Sequence, residues 1–171
     1  GNKVVLSNYR HPERQGEREL FRRWFLDHGY QVIELPSHIY FEGAGDALFL
    51  DDILFIGDGL RTDKQAHHLV AEALEVDYVS CKLIDPYFYH LDTCLFMTHN
   101  QFVYYEKAFS QLALSTMLMK VVDYVIKNRA SVNIMPVKSH QAMQFICNSI
   151  KINHNIITPA HDYHEVFLGG G

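Results

Sequence analysis

The sequence predicts an α/β protein assembled from a repeated strand–strand–helix–strand unit, and three observations carry that prediction. Short aliphatic and aromatic runs, Val4-Val5-Leu6-Ser7, Ile53-Leu54-Phe55-Ile56 and Phe102-Val103-Tyr104-Tyr105, begin 49 residues apart each time. After each run comes a polar loop and then a stretch with helical periodicity. Beyond each helix stands another short strand-like run, so the pattern alternates strand and helix throughout.

The first helix is expected over residues 17–28, where Leu20, Phe21, Trp24 and Phe25 make one apolar face and Gly29 supplies a stop. The second covers 63–74, with Leu69, Val70, Ala73 and Leu74 apolar, and the third covers 110–127. The strands after them fall at 31–35, 78–83 and 131–137. Returning strands at 47–50, 91–98 and 145–152 lead into the next repeat, and Asn155-Ile156-Ile157-Thr158 opens a fourth. No linker or low-complexity stretch interrupts the pattern, so residues 1–171 read as a single domain. Glu42 and Asp46, then His90 and Asp92, then Asn148 fall at matching phases of the period. Repeats packed in a ring would turn all of them toward one axis and into one cleft. A plain α/β sandwich, in which these residues cap strands, is the other arrangement that the periodicity allows.

Composition narrows the function. A chain of 171 residues, 48% hydrophobic, fits one compact domain with a sizeable core. A net charge of -5 and a pI near 6.1 argue against a nucleic-acid partner and suit a cationic small molecule. Three scattered cysteines do not make a disulfide framework, which points to a reducing, cytoplasmic setting. No apolar run approaches the roughly 20 residues of a membrane span, so no membrane partner is expected, and nothing at Gly1 reads as a signal peptide. A homo-oligomer stays open. The eleven histidines raise the question of metal. His67 and His68 are adjacent on a helix and cannot both face one ion, and His161 and His164 lack a clear third ligand; no metal is expected. Gly43 and Gly45 lack the context of a phosphate loop, and no cofactor is expected.

The chemistry concentrates in two segments. Phe41-Glu42-Gly43-Ala44-Gly45-Asp46 puts two carboxylates on a glycine-bracketed turn. Tyr89-His90-Leu91-Asp92-Thr93 puts an imidazole and a third carboxylate on one face of an expected strand. Carboxylates hold a guanidinium, and histidine, which titrates near neutrality, moves protons in both directions. Cys94 is no nucleophile for His90 on this reading, because four residues of strand span about 13 Å. Cys81, Cys94 and Cys147 all read as packing residues. Each polar residue also has a bland reading: His90 as a structural histidine, Arg10 and Arg14 as surface ion pairs in a charged loop, Asn148 as a partner of strand backbone.

The ordered set of motifs resembles the guanidino-group-modifying, or pentein, superfamily, which includes dimethylarginine dimethylaminohydrolases, arginine deiminases and amidinotransferases. The segments that carry the resemblance are residues 8–17, 41–49, 59–63 and 88–94, Cys147-Asn148 and the final Gly169-Gly170-Gly171. It implies a propeller of five ββαβ blades with the active site on its axis, of which this chain represents about three. The first blade and the segment bearing the nucleophilic cysteine are expected to be missing, the latter following a glycine run such as Gly169–Gly171. It implies a hydrolase acting through a covalent cysteine on the guanidino or ureido group of an arginine-like amino acid. An amidinotransferase, or a non-catalytic pentein that binds a ligand or partner, are the alternatives. By resemblance His90 is the proton donor to the leaving amine, and Glu42 charges that imidazole or contacts the guanidinium. Asp46 and Asp92 hold the substrate, and Arg61 and Arg10 take its carboxylate. Glu42 and Asp46 stand four residues apart where the family commonly has three, so their division of labour is open.

Overall fold

The computed structural model describes residues 2–160 and 164–167. The Gly169–Gly171 run and His161 lie outside the described residues, as does the side chain of His164.

The chain opens with β1 (Lys3–Val5), the short helix α1 (Pro12–Gln15), α2 (Glu17–Asp27) and β2 (Gln31–Ile33). Strands β1 and β2 pair in parallel, Lys3 opposite Gln31. Pro12 suits a first helical position, where its missing N–H leaves no bond unmade. Gly29, at φ +78°, stops the chain after α2. The apolar face expected on α2 is present, yet Leu20, Phe21 and Trp24 remain 68%, 44% and 51% exposed, and no residue of the helix is buried among the described residues.

The next unit is β3 (Ala47–Leu50), β4 (Ile53–Asp58), α3 (Lys64–Leu74) and β5 (Asp77–Lys82). Strand β4 lies between β3, antiparallel, and β5, parallel. The β3–β4 link is a two-residue turn in which Asp51 takes φ +51°, a conformation that Asp tolerates. The parallel β4–β5 pair needs a crossover, and α3 provides it. All six residues of β4 are buried, as expected for a central strand covered on both faces. Leu54 and Ile56 pack with Leu35, Phe41 and Val70 on one side; Ile53 and Phe55 join the main core on the other.

The arrangement repeats in β6 (Leu95–Thr98), β7 (Gln101–Tyr104), α4 (Gln111–Asn128) and β8 (Asn133–Pro136), again antiparallel then parallel around β7. Ser110 caps α4, its hydroxyl accepting the Ala113 N–H at 3.3 Å. Ala113, Met117, Val121 and Tyr124 form the buried stripe of that helix. The short helix α5 (Ser139–Ala142), an antiparallel hairpin of β9 (Ile150–Ile152) and β10 (Asn155–Ile157), and α6 (His164–Phe167) complete the described chain.

Two expected strands begin late. Residues 91–98 do not run as one strand: Leu91–Thr93 is a turn of 3-10 helix, and β6 starts at Leu95. The cause is side-chain capture of the backbone. Asp46 Oδ1 takes the Leu91 N–H at 2.9 Å, and the Thr93 hydroxyl donates to the His90 carbonyl at 2.6 Å. His90 and Asp92 therefore stand on a turn, not on a strand face. Likewise only Ile150–Ile152 of residues 145–152 is strand. Phe145 takes φ +55°, and the Asn148 N–H closes a turn onto the Phe145 carbonyl at 2.8 Å.

Candidate active site

The site is built on the stretch that leads into β3. The Asp46 N–H donates to the Gly43 carbonyl at 3.0 Å, which curls residues 43–46 into a turn. Gly43 adopts φ +87°, and a Cβ there would strike the Ser7 hydroxyl, so glycine is required. Gly45 lies against His90: a Cβ would sit 3.5 Å from the imidazole Cγ. The Asp92 N–H donates to the Gly45 carbonyl at 2.9 Å. The acid-bearing turn and the histidine-bearing turn are thus stitched backbone to backbone.

Four ionisable side chains meet there. Glu42, 1% exposed in its side chain, has Oε2 4.0 Å from His90 Nε2. Asp46 lies under the other edge of the ring, with Oδ2 3.4 Å from Nδ1. It also accepts the Thr62 hydroxyl at 2.7 Å and the Leu91 N–H at 2.9 Å. Thr62 in turn accepts the Glu42 N–H at 3.1 Å. The imidazole is bracketed by two carboxylates and packs edge-on against Tyr89.

Asp92 is the most perturbed acid of the group. Burial raises its pKa to about 6; His90 and a hydrogen bond from Asn148 oppose the shift, and the Asp46 carboxylate adds to it. The protonated form is favoured by folding. The stability that this lends is full below about pH 4 and is lost as pH rises through about 6. Asp92→Asn is expected to remove that dependence. Its melting temperature should gain on that of the wild-type chain between pH 4 and 6 and hold a lead of a few degrees above it. Thermal melts at several pH values check this. A cation bound beside Asp92 favours the ionised form, so protection by substrate should strengthen over the same window.

A cleft of about 450 Å³ opens onto Glu42, Gly45, His90 and Asp92, with Arg14 and Phe25 among its walls. A second cleft of about 260 Å³ reaches His90 and Asp92 from the side of Phe145 and Asn148. His90 and Asp92 belong to both. A broader, open depression of about 630 Å³ among His68, Glu72, Glu75 and Lys120 shares no residue with this cluster and is a solvated charged face.

The basic residues are placed differently from the expectation. Arg10 pairs with Asp63 and lies 4.3 Å over the Tyr40 ring; it does not line the cleft. Asp63, at the start of α3, anchors it there while accepting the Tyr40 N–H at 2.9 Å. Arg14, four residues on and within α1, takes the inner position. Its Nη1 is 3.0 Å from Glu42 Oε2, its guanidinium also holds Glu17, and it stacks 4.0 Å over Tyr9. Arg61 reaches within 3.7 Å of Glu42 Oε1 and lies 5.1 Å from the centre of the Tyr89 ring; like Arg10, it is not among the residues that line either cleft. Asp46 is 1% exposed and faces the histidine rather than the cleft.

The three thiols are buried and unpaired. Cys94 is nearer His90 than a strand would put it, because the turn folds back: Sγ lies 3.9 Å from the His90 carbonyl and 3.5 Å from that of Leu91. Burial pushes its pKa well above the usual thiol range, and those of Cys81 and Cys147 likewise. Burial as a neutral thiol keeps Cys94 from acting as a nucleophile.

This architecture matches known proteins. The sequence profile of the eukaryotic N,N-dimethylarginine dimethylhydrolase family matches residues 1–161, and the chain belongs to that family. It is 38% identical over 160 residues to the bifunctional arginine dihydrolase/ornithine cyclodeaminase ArgZ of Synechocystis, covering 92% of this chain and 22% of that protein. It is 33% identical over 157 residues to the N(G),N(G)-dimethylarginine dimethylaminohydrolase of Mycobacterium tuberculosis, covering 91% and 48%. The crystal structure of the N-terminal domain of ArgZ bound to substrate superimposes with a TM-score of 0.78, over 91% of this chain and 56% of that one. The Pseudomonas aeruginosa dimethylarginine dimethylaminohydrolase, complexed with citrulline, shares the fold at a TM-score of 0.70 and 18% identity. The chain thus spans about half or less of the proteins it matches. No helix among the described residues is long and apolar enough to cross a membrane.

Proposed function

We propose that this chain supplies the acid–base and cation-holding part of a hydrolase that acts on the guanidino or ureido group of an arginine-like amino acid. The observation that carries the reading is His90 held between Glu42 and Asp46, with Asp92 beside it at the mouth of one cleft. The activities of the relatives, arginine dihydrolase and dimethylarginine dimethylaminohydrolase, support it.

In this mechanism a thiolate attacks the guanidinium carbon, forming a C–S bond and a tetrahedral centre. The C–N bond to the leaving amine breaks as His90 gives that nitrogen a proton. His90, now neutral, takes a proton from water as the hydroxide adds to the same carbon. Collapse expels the thiolate and leaves the ureido product. Glu42 and the ionised Asp92 neutralise the substrate cation, and Asp46 keeps the ring oriented. The nucleophile comes from outside the described residues, because Cys81, Cys94 and Cys147 are buried neutral thiols. Three unpaired thiols also fit a reducing, cytoplasmic setting.

The test is product analysis on the intact protein with L-arginine and with dimethylarginine, with and without glycine. Release of ureido product and amine regardless of glycine is expected. Transfer of the amidino group to glycine would make it a transferase, and binding without turnover would make it a non-catalytic pentein. Arg61→Ala should raise KM roughly ten- to a hundred-fold, since a charged contact to the substrate carboxylate contributes about 1.5–3 kcal/mol. Steady-state kinetics that found KM unchanged would remove Arg61 from the carboxylate clamp.

A further inference from the structure

His67 lies outside the site and is used by none of the steps above, yet it is only 1% exposed and fully engaged. It sits on α3, facing the sheet. Its Nε2 is 3.2 Å from the Gly57 carbonyl, and its Nδ1 is 2.8 Å from the Ser80 hydroxyl. A carbonyl only accepts, so Nε2 carries the proton and Nδ1 accepts from Ser80.

The backbone explains why Gly57 needs that partner. The β3–β4 register, with Ala47 opposite Ile56, sets Asp46 opposite Gly57. The Gly57 N–H donates to the Asp46 carbonyl at 2.8 Å, which marks a hydrogen-bonded pair. Such a pair normally exchanges two bonds, the second running from the Asp46 N–H to the Gly57 carbonyl. Here the Asp46 N–H has turned away to the Gly43 carbonyl at 3.0 Å, closing the turn between Glu42 and Asp46. The Gly57 carbonyl is therefore released from the ladder inside the protein, where an unpaired backbone group is costly. His67 takes it.

We propose that His67 is a positioning residue for His90, resting on the reading of His90 as the acid–base group. By holding the released Gly57 carbonyl it lets the Gly43–Asp46 turn close and keeps Asp46 beneath the imidazole. The packing leaves little slack, because a Cβ on Gly57 would meet both Asp46 Oδ1 and Leu91 Cβ at 3.1 Å. Asp58 Oδ1, 3.8 Å from Nε2 and without a hydrogen-bond partner, borders the same spot. Burial lowers the pKa of His67, in keeping with a neutral ring that donates from Nε2.

The experiment is proton and nitrogen NMR of the histidines in the full chain, read without turnover. In the wild type His67 should show the neutral Nε2–H tautomer at neutral pH. Two variants separate reach from polarity. His67→Gln places an amide N–H near Nε2, while His67→Asn keeps the chemistry but falls short of Gly57. The His90 titration curve should match the wild type in His67→Gln and depart from it in His67→Asn, as the nearby Asp46 carboxylate loosens. A His67 protonated at Nδ1 in the wild type would overturn the proposal without any variant. So would a His90 titration unmoved in His67→Asn despite a lower melting temperature, which would make His67 a packing residue only. A chain that turns over nothing would count against the hydrolase reading, while these titrations still decide the role of His67.

Discussion

We expect His90→Ala to lower kcat of the proposed hydrolase by roughly 10²–10⁴-fold, with KM little changed. In the proposed mechanism the imidazole gives a proton to the departing amine and then takes one from water. Its Nε2 edge faces Glu42 at 4.0 Å, and Asp46 lies 3.4 Å from the other ring nitrogen. Arg14 and Arg61 do not exchange protons near neutrality, and Tyr89 offers the ring only its edge-on packing; Asp92, raised to about 6, is the neighbour that sets how much activity remains. Because the ring acts on bonds that change in the transition state, its loss should fall on kcat rather than on ground-state binding. Steady-state kinetics read this directly. A variant with normal kcat and a raised KM would make His90 a binding residue and leave the mechanism without its acid.

Asp46→Ala is the substitution expected to damage both stability and turnover. Its carboxylate accepts from the buried Leu91 N–H and the Thr62 hydroxyl, and it faces His90. Removing it leaves two donors without an acceptor, each costing about 1–3 kcal/mol, so the melting temperature should fall by roughly 5–15 °C. The turn that presents His90 also loses the bond that folds it. Asp46→Asn separates the two roles. One acceptor oxygen survives, so stability should recover in part, but the negative charge beside Nδ1 does not, and kcat should remain low. Melts and kinetics on the pair check this. Equal recovery of both in Asp46→Asn would show that the charge is not needed.

Much of this was readable in the chain itself, and where it was not the reason is tertiary. The run Ile53 to Ile56 is apolar without a break and flanked by turn residues, and it folds as the buried centre of its sheet. The 49-residue spacing located the units because the sheets β3–β4–β5 and β6–β7–β8 repeat one arrangement, antiparallel then parallel around a central strand. The grouping of Glu42, Asp46, His90 and Asp92 followed from their matching phase. The roles were harder. Leu91–Thr93 reads as strand because Leu91, Leu95 and Met97 alternate with other residues, and the bond that converts it to a turn comes from Asp46, 45 residues earlier. The same bond takes Asp46 out of contact with the cleft. Arg10 and Arg14 are four residues apart and chemically alike; which faces Glu42 depends on Asp63 having claimed the other. His67 carried one weak signal, a polar residue in register with Ala66, Val70 and Ala71 on the buried face of α3. The need it meets, a backbone carbonyl left free by a turn, is invisible until the strands are paired.

The central claim is that His90 works opposite a thiolate that is none of the three thiols buried in these residues. The most direct measurement treats the intact protein with a haloacetamidine, which carries an amidinium like the substrate's, and maps the adduct by peptide mass spectrometry. The account predicts a single alkylated cysteine outside residues 1–171, formed faster with substrate absent than present, with Cys81, Cys94 and Cys147 unmodified. An adduct on Cys94 that arginine protects would contradict it and place the nucleophile on the same turn as His90.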